Sequence, residues 1–127
     1  MSHAFDPRHG PILVQAEVTG PDRALTLQLI LDTGATTSLL NETVLLTLGY
    51  DLARVAARAS MTTGSLVTTV PKVALTRLTA LGRSRFGVPV LAYTLPASAS
   101  VHGLLGLDFL RDGVLTIDFR MGRITLD

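Results

Sequence analysis

A strand that ends in a carboxylate constrains this chain more than any other feature. Leu25, Leu27, Leu29 and Leu31 alternate with Thr26, Gln28 and Ile30, the period of a strand with one face buried. The strand runs directly into Asp32-Thr33-Gly34-Ala35-Thr36-Thr37-Ser38, and apolar sequence resumes at Leu39-Leu40. A charge at the end of a buried strand is costly unless it is paired, hydrogen-bonded or wet. Gly34 permits a sharp turn and the close approach of another backbone. The hydroxyls of Thr33, Thr36, Thr37 and Ser38 can fix the loop that follows. Taken alone, the stretch is also compatible with a plain strand, turn and strand, because Asp and Gly are ordinary turn residues.

The chain has 127 residues, the size of one domain with a core of its own. Its composition is 47% apolar and 17% charged, which is globular, and only 5% aromatic, so the core must be aliphatic. A net charge of +1 leaves no footprint for nucleic acid. There is no cysteine, which excludes disulfides, thiolate metal sites and a cysteine nucleophile. Neither His3 nor His9 has a spacing that suggests a metal site, and no cofactor is expected. Met1–Gly10 carries His3, Asp6, Arg8 and His9 without the apolar segment of a signal peptide. No run of about 18 apolar residues crosses a membrane, so a cytoplasmic protein with no membrane partner is expected.

Residues 1–10 read as an irregular arm punctuated by Pro7 and Gly10, and residues 11–127 as the domain. Ile12, Val14, Ala16 and Val18 make a half-buried strand that turns at Gly20-Pro21 into the strand delivering Asp32. Asn41 as N-cap, Glu42 in the first turn and Gly49 as stop predict a short helix carried on Val44, Leu45 and Leu48. Met61–Ser65, small and polar around Gly64, read as a hairpin tip. Pro71 predicts an edge or a bulge. Val73–Leu81 and Arg83–Ala92 are two strands around Gly82, with Arg77, Arg83 and Arg85 as a solvated basic face. Tyr93–Val101 is a loop. Leu104-Leu105-Gly106 ends a buried strand, and Asp108 suits a helix cap or a loop brace better than a catalytic role. Val114–Phe119, with Leu115, Ile117 and Phe119 on one face, and Arg123–Asp127 close the chain as strands. The result is an all-β, barrel-like domain of about eight short strands with one or two short helices.

Asp32-Thr33-Gly34-Ala35, followed much later by Leu104-Leu105-Gly106, resembles the retropepsin-like aspartic proteases, and the cellular and bacterial members more than the viral ones. The resemblance runs from Pro11 to the C-terminus and implies an acid-protease β-barrel with one lobe per chain. It implies that the apolar-apolar-Gly strand packs under the Asp-Thr-Gly loop, and that the Met61–Leu66 hairpin is a flap over substrate. Viral members carry an Asp after the Ala and an Arg after the Gly of the second motif, which pair. Here those places hold Thr36 and Leu107, so both partners are missing together.

The chemistry implied is general acid–base hydrolysis of a peptide bond by two carboxylates sharing one proton, since like charges about 3 Å apart cannot both ionise. The chain has a single Asp-Thr-Gly, because none of the other aspartates is followed by Thr or Ser and then Gly. The resemblance therefore implies a homodimer with one Asp32 from each subunit. It makes Asp32 the catalytic carboxylate, Thr33 a brace across the dimer axis and Gly34 the point where substrate backbone comes close. Ala35 and Thr36, with Thr63, Gly64, Ser65 and Leu66 of the flap, would line the peptide or protein substrate. Arg123–Asp127, together with the Met1–Gly10 arm, would supply interface strands. The expectation is an aspartic endopeptidase. The alternative is a catalytically weak retropepsin-fold module for dimerisation or peptide binding, since fold does not establish function.

Overall fold

The structure, a computed structural model, describes residues 1–127. Ten strands and two short helices follow in the order β1 (Ser2–Ala4), β2 (Leu13–Thr19), β3 (Ala24–Leu31), β4 (Leu39–Leu40), α1 (Glu42–Leu48), β5 (Arg58–Thr63), β6 (Leu66–Ala80), β7 (Arg83–Ala92), β8 (Gly103–Leu105), α2 (Leu107–Leu110), β9 (Leu115–Asp118) and β10 (Arg123–Leu126). The main sheet runs β2-β3-β8-β4-β7-β6 and closes on itself where β6 pairs with β2, a barrel that leaves β5 outside as the partner of β6 alone.

The alternating strands behave as their period dictates. Val14, Ala16 and Val18 of β2 and Leu27, Leu29 and Leu31 of β3 all point into one core of 23 buried residues. β3 and β8 are parallel neighbours, with Ile30 opposite Leu104 and Leu31 opposite Leu105. That pairing joins segments about seventy residues apart and brings the two motifs into contact. β8 alternates too: Leu105 is fully buried in the main core, while Leu104 is half-buried and faces away from it. Leu104 packs on a second, smaller cluster of Leu39, Val70 and Leu91.

α1 forms where expected, with Val44, Leu45 and Leu48 buried and Gly49 at φ +104 closing it. Asn41 occupies the N-cap position but its side chain does not cap. It accepts a hydrogen bond from Leu95 N–H at 3.1 Å and donates to Val101 O at 3.3 Å, tying down the loop that precedes β8. The hairpin β5–β6 turns in two residues, Gly64 and Ser65, with Gly64 at φ +60, the first-position glycine of a type II′ turn. Pro71 lies where β6 changes neighbours: β5 pairing ends at Pro71 and β7 pairing begins at Lys72, so no ladder bond needs the missing N–H.

Four expectations are corrected. The arm is not irregular throughout, because Ser2–Ala4 pair antiparallel with Arg123–Thr125. As a result β10 is the middle strand of a three-stranded sheet, β1-β10-β9, and both its edges are filled within its own chain. A bare edge of Arg123–Asp127 is therefore not available to a partner; the open edges of this sheet belong to β1 and β9. Phe119 leaves the strand face it was assigned to. The Asp118 carboxylate accepts Arg120 N–H and Met121 N–H, both at 2.9 Å, which turns the chain and leaves Phe119 exposed against the edge of Phe5. Finally, two members of the expected basic face, Arg83 and Arg85, donate to main-chain carbonyls of Phe109 and Arg111 at the end of α2.

Candidate active site

β3 delivers Asp32 to the rim of the barrel, where its N–H donates to Leu105 O at 2.9 Å and so ties the motif strand to β8. The chain then turns sharply: Ala35 N–H donates to Asp32 O at 3.1 Å, and Gly34 N–H donates to the carboxylate Oδ1 at 2.9 Å. Asp32 is half-buried, while Thr33, Gly34 and Thr36 are exposed. No ion pair involves Asp32; the ion pairs of the chain are Asp6–His9 and Asp51–Arg54, both on the surface. The carboxylate thus has one oxygen held by a backbone donor, the other free of partners in its own chain, and no cation beside it.

The loop after Asp32 is fixed from below by α2 and the turn before it. Leu107 N–H donates to Ala35 O at 2.8 Å and Asp108 N–H to Thr36 O at 3.2 Å. Ser38, only 1% exposed, accepts Gly106 N–H at 2.9 Å through its hydroxyl oxygen and donates that hydroxyl to Asp108 Oδ1 at 2.6 Å. Asp108 is a brace in this geometry, as its sequence context suggested, although it lies inside α2 and the N-cap position belongs to Gly106.

Asp32 opens into a cleft of about 520 Å³. Gly34, Ala35 and Thr36 line it with the carboxylate, and β5 contributes Ser60, Met61, Thr62 and Thr63. The hairpin therefore shares this cleft with the Asp32 loop. Gly64, Ser65 and Leu66 form the tip of the β5–β6 hairpin and lie outside the cleft wall, as does the exposed Thr33. The apolar wall is made by Leu39, Leu91, Tyr93, Leu95 and Leu104.

Two comparisons bear on this arrangement. The family model for aspartyl proteases matches residues 14–109, most of the chain, including both motifs and the hairpin between them. The chain belongs to the aspartyl protease family. The solved structure of a retropepsin-like aspartic protease from Rickettsia conorii superposes with a TM-score of 0.73, covering 99% of this chain and 88% of that one at 20% identity. At that identity the likeness speaks for the fold, a single retropepsin-like lobe. A search of curated proteins gives no match.

Within this aspartyl protease lobe, sequence reasoning did not single out Leu91, Tyr93 and Leu95 as cleft residues. They come from the end of β7 and the loop beyond it, and reach the cleft only because β7 pairs with β4 (Leu39 opposite Leu91). The one available signal was Tyr93, the only aromatic in that Ala- and Ser-rich stretch.

Proposed function

We propose that this protein is an aspartic endopeptidase whose site is completed by a second copy of the chain. The observation that carries the proposal is Asp32 itself: an unpaired, half-exposed carboxylate lining a cleft that the β5–β6 hairpin also lines, in a chain with no second such loop. Two copies meeting at Thr33 and Gly34 would face two Asp32 carboxylates across a two-fold axis, with Thr33 free to bond across it. One carboxylate takes a proton from water as the water oxygen attacks the peptide carbonyl carbon. The other, protonated, donates to the carbonyl oxygen. Collapse of the tetrahedral species breaks the C–N bond, and the abstracted proton goes to the departing amine. The β5–β6 hairpin excludes bulk water while this happens. The apolar wall of Leu39, Leu91, Tyr93, Leu95 and Leu104 would receive aliphatic or aromatic side chains of an extended peptide.

The test is cleavage of a mixed peptide library by wild type and Asp32→Asn, with circular dichroism and sedimentation on both. Asparagine keeps the shape but cannot act as base, so cleavage should fall by at least about 10²-fold while fold and mass hold. Wild-type cleavage should also be bell-shaped in pH, because turnover needs one ionised and one protonated carboxyl at once. If neither protein cuts but both bind peptide alike, the chain is a binding module; if the variant cuts as fast as wild type, Asp32 is not the catalyst.

A further inference from the structure

A second carboxylate, Asp108, lies behind the Asp32 loop and is not among the residues that line its cleft. Both of its oxygens are engaged, two of the bonds going to Ser38 at the end of the Asp32 loop and one to its own helix. Oδ1 accepts the Ser38 hydroxyl at 2.6 Å and Phe109 N–H at 2.9 Å, and Oδ2 accepts Ser38 N–H at 2.9 Å. The Ser38 oxygen in turn accepts Gly106 N–H at 2.9 Å. Since Gly106 follows Leu105, whose carbonyl holds Asp32 N–H, the chain of bonds runs from Asp108 through Ser38 and Gly106 to the residue that anchors Asp32.

α2 has only the four residues Leu107–Leu110, too few to hold its own position through helix propensity. It is gripped at both ends. Asp108 fastens its first turn to Ser38, and the guanidiniums of Arg83 and Arg85, which pair with no carboxylate, fasten its last carbonyls, with Arg83 Nη1 to Arg111 O at 2.8 Å and Arg85 Nε to Phe109 O at 3.0 Å. Leu107 and Asp108 then present their N–H groups to the Ala35 and Thr36 carbonyls.

We infer that Asp108 is a positioning residue for Asp32, acting through Ser38, with α2 as the rigid body held between this carboxylate and the Arg83–Arg85 clamp. The charge on Asp108 matters because the site needs acceptors only. A backbone donor that cannot turn away faces each oxygen, Ser38 N–H at Oδ2 and Phe109 N–H at Oδ1, so an isosteric asparagine must set its NH₂ against one of them whichever way it is turned. The inference rests on the peptidase reading for its catalytic consequence, but its structural half does not.

The experiment compares wild type, Asp108→Asn, Ser38→Ala and the double variant, all as the full chain and below the unfolding temperature of the weakest. Peptide cleavage per folded molecule should show kcat reduced by about 10- to 100-fold with KM held within about two-fold, the signature of a misplaced catalytic group in an intact cleft. The double variant should be close to the worse single variant, because the two side chains work as one unit. Amide hydrogen exchange supplies a readout that needs no activity. Asp32 and Gly34 N–H, which Asp108 does not touch, should exchange at least about ten-fold faster in Asp108→Asn, while the β2–β3 amides keep their rates. A variant that melts lower but keeps its kcat, or losses that simply add, would reduce Asp108 to a stability residue and overturn the inference. If wild type cuts nothing, the peptidase reading fails, and exchange alone decides: accelerated Asp32 and Gly34 amides uphold the positioning role, and unchanged ones refute it.

Discussion

Gly106→Ala isolates the contact between the two motifs. Gly106 has extended backbone, φ −104 and ψ −170, which any residue adopts, so alanine there carries no conformational penalty. The cost is purely steric. A Cβ at Gly106 would lie 2.6 Å from Ala35 O, 3.1 Å from Thr37 C and 3.2 Å from Ser38 N, all of them backbone atoms of the Asp32 loop. Ordinary contact is about 3.5 Å, so the loop or α2 must give by roughly 0.5–1 Å. Overpacking of this kind costs about 1–3 kcal/mol. The shift also stretches Leu107 N–H to Ala35 O and Gly106 N–H to Ser38 Oγ, each worth about 1 kcal/mol. Together these give about 3–5 kcal/mol, and with about 4 °C of melting temperature per kcal/mol for a chain of this size, a drop of roughly 12–20 °C. The catalytic effect should be disproportionate, since a displacement near 1 Å at a reacting group costs about 10²-fold in rate. Thermal unfolding and peptide cleavage at a temperature where the variant is folded are the two assays. Gly64→Ala is the converse case: it has φ +60 and nothing within 4 Å of its Cβ, so its cost is backbone strain alone, about 1–3 kcal/mol, with no displacement of the Asp32 loop. A Gly106→Ala protein with wild-type melting and wild-type cleavage would show that the loop yields freely, and the claim that this packing sets the position of Asp32 would be wrong.

Three other outcomes are expected. Sedimentation at micromolar concentration should give a dimer burying at least about 1,200 Å² in total, with contacts at the Asp32 loop and no new pairing of β10; a strict monomer that still cleaves peptide would refute the shared dyad. Asn41→Ala should leave α1 intact and loosen the Tyr93–Val101 loop by about 1–2 kcal/mol, since its side chain serves that loop and not the helix; faster exchange at Leu95 N–H and a raised KM would show it, and frayed α1 amides would contradict it. Asp6, whose carboxylate accepts Arg8 N–H at 2.9 Å and also faces His9, is held below the ordinary carboxylate range chiefly by that Arg8 bond. Its folded value is the depressed one, so the small stabilisation of the arm is present above the unfolded value and is lost as pH falls through the folded one; a carboxyl titration by NMR that finds Asp6 at or above its ordinary value would disprove the turn.

Period, punctuation and residue chemistry are local properties, and what rests on them was legible in the chain. Leu25–Leu31 alternates because its strand has one wet face, and Asn41 to Gly49 brackets a helix whose buried residues are Val44, Leu45 and Leu48. Gly64 marks the hairpin, and Asp32-Thr33-Gly34 with Leu104-Leu105-Gly106 marks the family. What was not legible depends on pairing between distant segments. Alternation says that Leu104 and Leu105 point opposite ways, but only the β3–β8 and β4–β8 ladders decide that Leu105 enters the core and Leu104 the cleft. Tyr93 and Leu95 enter the cleft because β7 lies beside β4, and Asn41 abandons its cap because the Leu95 and Val101 backbone comes within reach. The terminal strands show the same limit: Arg123–Leu126 carries the pattern of a strand, yet nothing in that pattern says that Ser2–Ala4 will cover its edge. A side chain's partners are set by which backbones the closed barrel brings together, and barrel closure is a property of the whole chain.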